Sequence, residues 1–255
     1  MRDPHVQTIF YRIGSDEGIT YFEPEPLTFT NSVGDFDLRE GELRVVPVEH
    51  FDDSDSARQA IDAFLHAWEI EADLTSNVGT IRFAFERAEV IDRDPLPAGS
   101  PQELKLTGMS MTTFGGNVAL HLTCRAYPEP PSSFSATPEV KRAYRRWIGY
   151  RQGKEPLQAM SYFVLTILET FAGGRKRAAS LFAIDILILD AIGKLSSTRG
   201  DDSTARKAKA ASAALTDSEK KWLEAAICRL IRRLGEHASG TCLSPTAMSD
   251  LPKLS

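Results

Sequence analysis

A chain of 255 residues is long enough for one large domain or two ordinary ones, each with its own core. With 42 % hydrophobic and 25 % charged residues, the composition is globular and excludes a fibrous or disordered protein. The net charge of −5 hides an asymmetry. Residues 1–100 hold 21 Asp and Glu against 8 Arg and no Lys, a net of −13, whereas residues 138–255 hold 20 Lys and Arg against 12 Asp and Glu, a net of +8. Halves of opposite sign point to two domains with different partners, or to surfaces that face each other.

The first ~125 residues read as short strands separated by turn signals. TIFYRI and GITYFEP flank the turn GSDEG, and DFDLRE and ELRVVPV meet at Gly41, so two hairpins are predicted. In GTIRFAFERAEVI, Ile81, Phe83 and Phe85 recur at period two, the spacing of a half-buried strand. QELKLTG and ALHLTCRAY alternate in the same way. One helix interrupts the strands. Asp53 to Asp55 offer capping oxygens, and Ala57, Ile61, Phe64, Leu65 and Trp68 fall on one face. An acidic, antiparallel β-rich domain with one packed helix is expected over residues 1–127.

Residues 128–140 are rich in proline and small polar residues and read as a linker. Beyond it the hydrophobic period becomes 3.6. A basic helix starts at PEVKRAYRRWIGYRQG, and PLQAMSYFVLTILETF follows, with Pro156 suited to a first helical turn. RKRAASLFAIDILILDAIGKLSS and TDSEKKWLEAAICRLIRRLGEHASG complete the helical set, the last opened by a capping box of Thr216 and Glu219. The class is therefore α+β, with a basic all-helical bundle over residues 141–240. The polar stretch 198–214 reads as a mobile loop or an Ala-rich extension. Residues 241–255 read as a loose tail.

The N-terminus MRDPHVQTIF lacks the apolar core of a secretory signal. Of two apolar runs, YFVLTILETFAGG is too short to span a bilayer and SLFAIDILILDAIG is interrupted by Asp185 and Asp190, so no membrane partner is expected. Cys124, Cys228 and Cys242 are scattered and odd in number, which fits neither a disulfide framework nor a zinc site and suits a reducing cytoplasm. The five histidines form no HxH or HxxxH pair, so no metal site and no cofactor is assigned, although acidic residues are plentiful enough to hold Mg²⁺. No Walker A loop, no GxGxxG opening a helix and no GxSxG elbow occurs, which removes most support for nucleotide-dependent transfer and α/β-hydrolase chemistry.

Three stretches carry candidate chemistry. Residues 178–195 have the small and apolar spacing of a helix-turn-helix, with Asp185 placed to cap the second helix. The base-reading positions would be Ile186, Leu187 and Ile188, whose apolar side chains cannot make bidentate hydrogen bonds, so a buried helical hairpin accounts for them better. The stretch from Lys141 to Arg151 interleaves Arg142, Arg145, Arg146 and Arg151 with Tyr144, Trp147 and Tyr150. That is the composition of a single-stranded nucleic-acid platform, to which Arg175, Lys176 and Arg177 would add phosphate contacts. The same aromatic spacing also fits a buried helix stripe, which is the stronger reading of the periodicity.

The third stretch is CRLIRRLGEHASG, where Arg232 and His237 form an R-x4-H late in an all-helical domain. The motif resembles the signature of HEPN-type nucleases, over the C-terminal ~100 residues only. The resemblance implies a helical bundle that dimerises and cuts RNA without metal, in a defence or toxin-like system. Arg44 to His50, with five intervening residues, also fits the signature's allowed spacing of four to six, from a predicted strand, and a second arginine, Arg233, follows Arg232 where the family often has another polar residue. At about 100° per residue, Arg233 shares a side with His237, while Arg232 points toward Glu236 unless the helix breaks at Gly235. Histidine would move the 2′-OH proton and arginine would stabilise the phosphorane. The plainer account is a set of charged residues favourable at a helix C-terminus. Three function classes stay open: a metal-independent endoribonuclease using His237 with Arg233 or Arg232, a non-enzymatic two-domain interaction protein, and a nonspecific nucleic-acid-binding regulator.

Overall fold

A computed structural model describes residues 3–14, 19–75, 81–94, 122–199 and 214–254. The chain divides into two compact units, Met1–Pro131 and Ser132–Ser255. The fold is α+β. A five-stranded antiparallel sheet lies in the first unit, and five of the six helices among the described residues lie in the second.

In the first unit the strands β1 (Pro4–Gly14), β3 (Leu27–Thr30), β4 (Gly34–Arg39), β5 (Glu42–Pro47) and β6 (Arg82–Asp92) make a sheet in the order β3-β4-β5-β1-β6. The hairpin of β4 and β5 turns where expected. Glu40 and Gly41, at φ +50° and +78°, supply the left-handed pair that a two-residue turn needs between paired Arg39 and Glu42. The other expected hairpin is not formed. β2 (Ile19–Tyr21) pairs in parallel with β7 (Leu122–Cys124), because both edges of β1 are occupied by β5 and β6. QELKLTG and most of ALHLTCRAY lie outside the described residues.

The register of β1 on β6 shifts twice, between Val6 and Thr8 and between Phe10 and Tyr11. Each shift inserts one residue, so the parity of the core face changes along both strands. Val6 and Ile9, three apart, both enter the core, as do Phe85 and Ala88 across the second shift. The helix α1 (Ser54–Thr75) starts at Asp53, whose carboxylate accepts the Asp55 and Ser56 amides at 2.9 and 2.8 Å. Its Ala57, Ile61, Leu65 and Trp68 form one core with Ile9, Tyr11, Phe36, Leu38, Leu43 and Val45 of the sheet. The Trp68 ring meets Phe29, Phe64 and Phe83, and its indole N–H donates to the Pro128 carbonyl at 3.0 Å.

The second unit holds α2 (Pro138–Arg151), α3 (Leu157–Ala172), α4 (Arg175–Leu181), α5 (Ile186–Thr198) and α6 (Asp217–Ala238). Thr137 caps α2, and Asp185 caps α5 through the Leu187 amide at 2.9 Å. Gly173 and Gly174, at φ +77° and +124°, end α3 in the left-handed turn that glycine adopts without strain. The capping box at Thr216 and Glu219 is present in both directions. Residues 200–213, most of the polar stretch, lie outside the described residues. α3 is the central element, packing on α2, α4, α5 and α6, and α6 packs on α2, α3 and α5 with Trp222, Leu223, Ile227, Leu230, Ile231 and Leu234 buried.

The expected loose tail is held down. Thr246 sits beside Ile184 as a short parallel bridge, its N–H donating to Ala183 and its carbonyl accepting from Asp185 at 2.8 and 2.9 Å. A single helical turn at Met248–Asp250 follows, and Leu251 is buried.

Candidate functional site

α6 runs without a break through Gly235 to Ala238, so the straight-helix geometry applies. Gly235 has a different reason to be glycine. A Cβ there would lie 2.2 Å from the Phe134 ring, and the Gly235 carbonyl accepts the Ser135 amide at 3.1 Å. The missing side chain lets the segment before α2 lie directly on the helix.

Arg232 points to Glu236, at 3.3 Å, as its i,i+4 spacing requires. Arg233 is 6 % exposed and each of its three nitrogens is engaged. Nη1 donates to Glu236 at 3.0 Å, Nη2 to the Ser244 carbonyl at 2.5 Å and the Thr246 hydroxyl at 2.6 Å, and Nε to the same hydroxyl at 3.2 Å. Burial of a guanidinium demands this degree of pairing. The tail places two oxygens where a phosphate would have to bind. His237, one turn further, packs its ring edge-on against Phe171 and Phe182, with centroids 5.8 and 5.2 Å away. The helix therefore brings Arg233 and His237 to one side, but commits the first to the tail and sets the second among aromatic rings.

The basic residues of α2 and α4 are unequal. Arg142 pairs with Glu139 at 3.3 Å. Arg146 pairs with Glu155 at 2.8 Å and lies over Phe163. Arg151 lies over Trp147. Arg175 bridges Glu169 and Asp190 at 2.6 and 2.9 Å. Arg145, Lys176 and Arg177 are exposed and have no ion pair among the described residues. The aromatic members of the basic stretch do not offer a stacking platform. Tyr144 and Trp147 are buried, and the Tyr150 hydroxyl donates to Glu224. Next to that pair, burial pushes the Cys228 thiol up to about 12, which leaves it a packing residue rather than a nucleophile.

Residues 178–195 form the end of α4, a short turn and most of α5, with Ala178, Phe182, Ile188, Leu189 and Ile192 buried. Leu187, at a base-reading position, is 59 % exposed, and the turn carries the Thr246 bridge. Two further features were not anticipated. Phe171 and Leu181, like Leu187, are exposed, by 52 and 41 %, a signal hidden by the general apolarity of that run. The Arg233 clamp had a visible trace: an arginine on the apolar stripe of the last helix requires acceptors, and the polar tail is the nearest source.

Among the described residues no cluster of histidine, cysteine and carboxylate ligands is placed to hold a metal ion, and no helix is long and apolar enough to cross a membrane. The chain matches no family model, no curated protein and no solved structure.

Proposed function

We propose that this is a non-enzymatic interaction protein whose helical unit docks a partner through an apolar surface on α3, α4 and α5. A second copy of the chain is the first partner to test. The observation that carries the reading is the exposure of Phe171, Leu181 and Leu187 in helices whose other large apolar residues are buried or half-buried. Large apolar side chains left exposed on three packed helices are the kind of surface that marks a contact with a partner. The endoribonuclease reading has less geometric support, since Arg233 would have to leave Glu236, Ser244 and Thr246 to reach a phosphate.

Sedimentation over a range of concentrations tests the proposal. The wild type is expected to self-associate, and the double variant Phe171→Ser, Leu187→Asp to sediment as a folded monomer. A wild type that stays monomeric removes the second copy as partner. If that monomer also cuts RNA in EDTA, leaving 2′,3′-cyclic phosphates, and His237→Ala stops the cutting, the HEPN-like nuclease reading takes its place.

A second reading rests on Arg145, Lys176 and Arg177, whose free charges suit nonspecific contact with phosphates. It predicts RNA binding without cleavage, falling steeply with salt and losing slope in the triple alanine variant.

A further inference from the structure

Three separated segments of the first unit meet at one end of the sheet: the entry to β1, the connection from β5 to α1, and the end of β6. The His5 and His50 rings lie stacked, 4.9 Å between centroids and 14° from parallel, with their Nδ1 atoms 2.8 Å apart. His50 Nε2 is 2.7 Å from Asp52 and 3.9 Å from Asp3. Arg93 grips Asp3 through Nε and Nη2 at 3.0 and 3.2 Å and reaches His50 Nε2 at 3.4 Å. Asp92 accepts the Asp3 and Asp94 amides. Beside the pair, the Val6 amide donates to the Phe51 carbonyl at 2.9 Å, tying β1 to the connection.

An Nδ1-to-Nδ1 hydrogen bond sets a rule for protons. One nitrogen must carry hydrogen and the other must not. With both rings neutral, His50 Nε2–H donates to Asp52, and its bare Nδ1 accepts Nδ1–H of His5. One added proton is accommodated on either ring, because one bare Nδ1 remains available. Two added protons place N–H against N–H at 2.8 Å, and the bond cannot survive. The surrounding charges do not prevent that second step, since Asp3, Asp52 and Asp92 outnumber Arg93. Beside desolvation and Arg93, the two rings themselves oppose it.

We propose that His5 and His50 form a proton-operated latch, closed with no proton or one proton added and opened by the second, which frees the entry of β1 from the β5–α1 connection. The pair is partly exposed, so protons reach it from bulk water. Desolvation, helped by Arg93 and His50 and opposed by Asp3, holds the His5 imidazole below its ordinary value of 6.5. A histidine lowered in the folded state binds its proton more readily when unfolded. Stability is therefore complete above about pH 6.5 and is lost as the pH falls from there through the lowered value. Opening would loosen Phe51, which packs on the core of this unit.

Histidine-detected ¹H–¹⁵N NMR of the full chain, titrated from about pH 8 to about pH 4.5, reads the latch directly. The two rings are expected to titrate in two coupled steps rather than as independent groups. Across the second step the protection of the Val6 amide should fall at least tenfold, against the slowing of intrinsic exchange with acid. In His5→Gln and in His50→Asn that fall should be absent. Two independent single-step titrations with Val6 protection unchanged would overturn the proposal, using the wild-type protein alone. An equal loss of protection in wild type and both variants would overturn it as well, by showing that other groups open the seam.

Discussion

Gly235 shows how the absence of one methyl group sets the packing of a whole segment. Alanine has the higher helix propensity, by about 1 kcal/mol in an exposed helix interior. Here the added Cβ would fall 2.2 Å from the ring of buried Phe134, and overpacking of this kind costs about 1–3 kcal/mol. Gly235→Ala is therefore expected to lower stability, by a net of up to about 2 kcal/mol, as read from urea midpoints. Phe134→Ala combined with Gly235→Ala should lose less than the sum of the two single changes, since the cavity of one relieves the clash of the other. A stabilised Gly235→Ala protein would mean that the segment before α2 does not lie on the helix.

Among the elements, α6 carries the clearest pH signature. Burial works to raise the Glu219 carboxyl, but the Thr216 amide and the Arg199 guanidinium together outweigh it and hold it below the usual carboxylate range. A carboxyl lowered in the folded state stabilises above its unfolded value of 4.5, and that contribution is lost as the pH falls through the lowered value. Glu219→Gln should cost about 1 kcal/mol near neutral pH and much less once the pH has fallen through the lowered value of the carboxyl, measured by denaturant unfolding at both. Equal losses at both pH values would show that the charge is not what stabilises the cap.

That capping box was legible because its signal is local: two side chains three residues apart on one chain segment. The same holds for the β4–β5 hairpin at Gly41 and for Asp185. β1 does not form the hairpin its flanking turn suggests, because strand pairing is settled by competition for its edges, and β5 and β6 take both. Period two located β6 through Ile81, Phe83 and Phe85 but could not show that the parity changes before Ala88, since a bulge leaves no mark in the hydrophobic pattern. The candidate site was half legible. Helix geometry correctly sent Arg232 to Glu236, but the partners of Arg233 lie beyond the helix, where no periodicity reaches.

At the scale of the molecule, the boundary at Pro131 falls within the proline-rich stretch, yet little of that stretch is free. Tyr127 and Pro128 bind back to Gly41 and Trp68 in the first unit. Phe134 and Thr137 belong to the packing and capping of the second. Each unit has its own core and its own hydrogen-bonded ends. A fragment of residues 132–255 is therefore expected to fold alone, with a helical circular dichroism spectrum and a cooperative thermal transition. A fragment that melts without cooperativity would show that the helical unit depends on the β-rich one.

The Arg233 clamp also imposes an order on synthesis. A ribosome delivers Arg233 before its acceptors, which lie eleven and thirteen residues later at Ser244 and Thr246. Until those residues emerge, the guanidinium has only Glu236 and water as partners, and the end of α6 lacks the contacts that hold the tail on it. A translational pause or a proteolytic nick at Gly240 would hold the chain in that state, the form most open to chaperones and to aggregation.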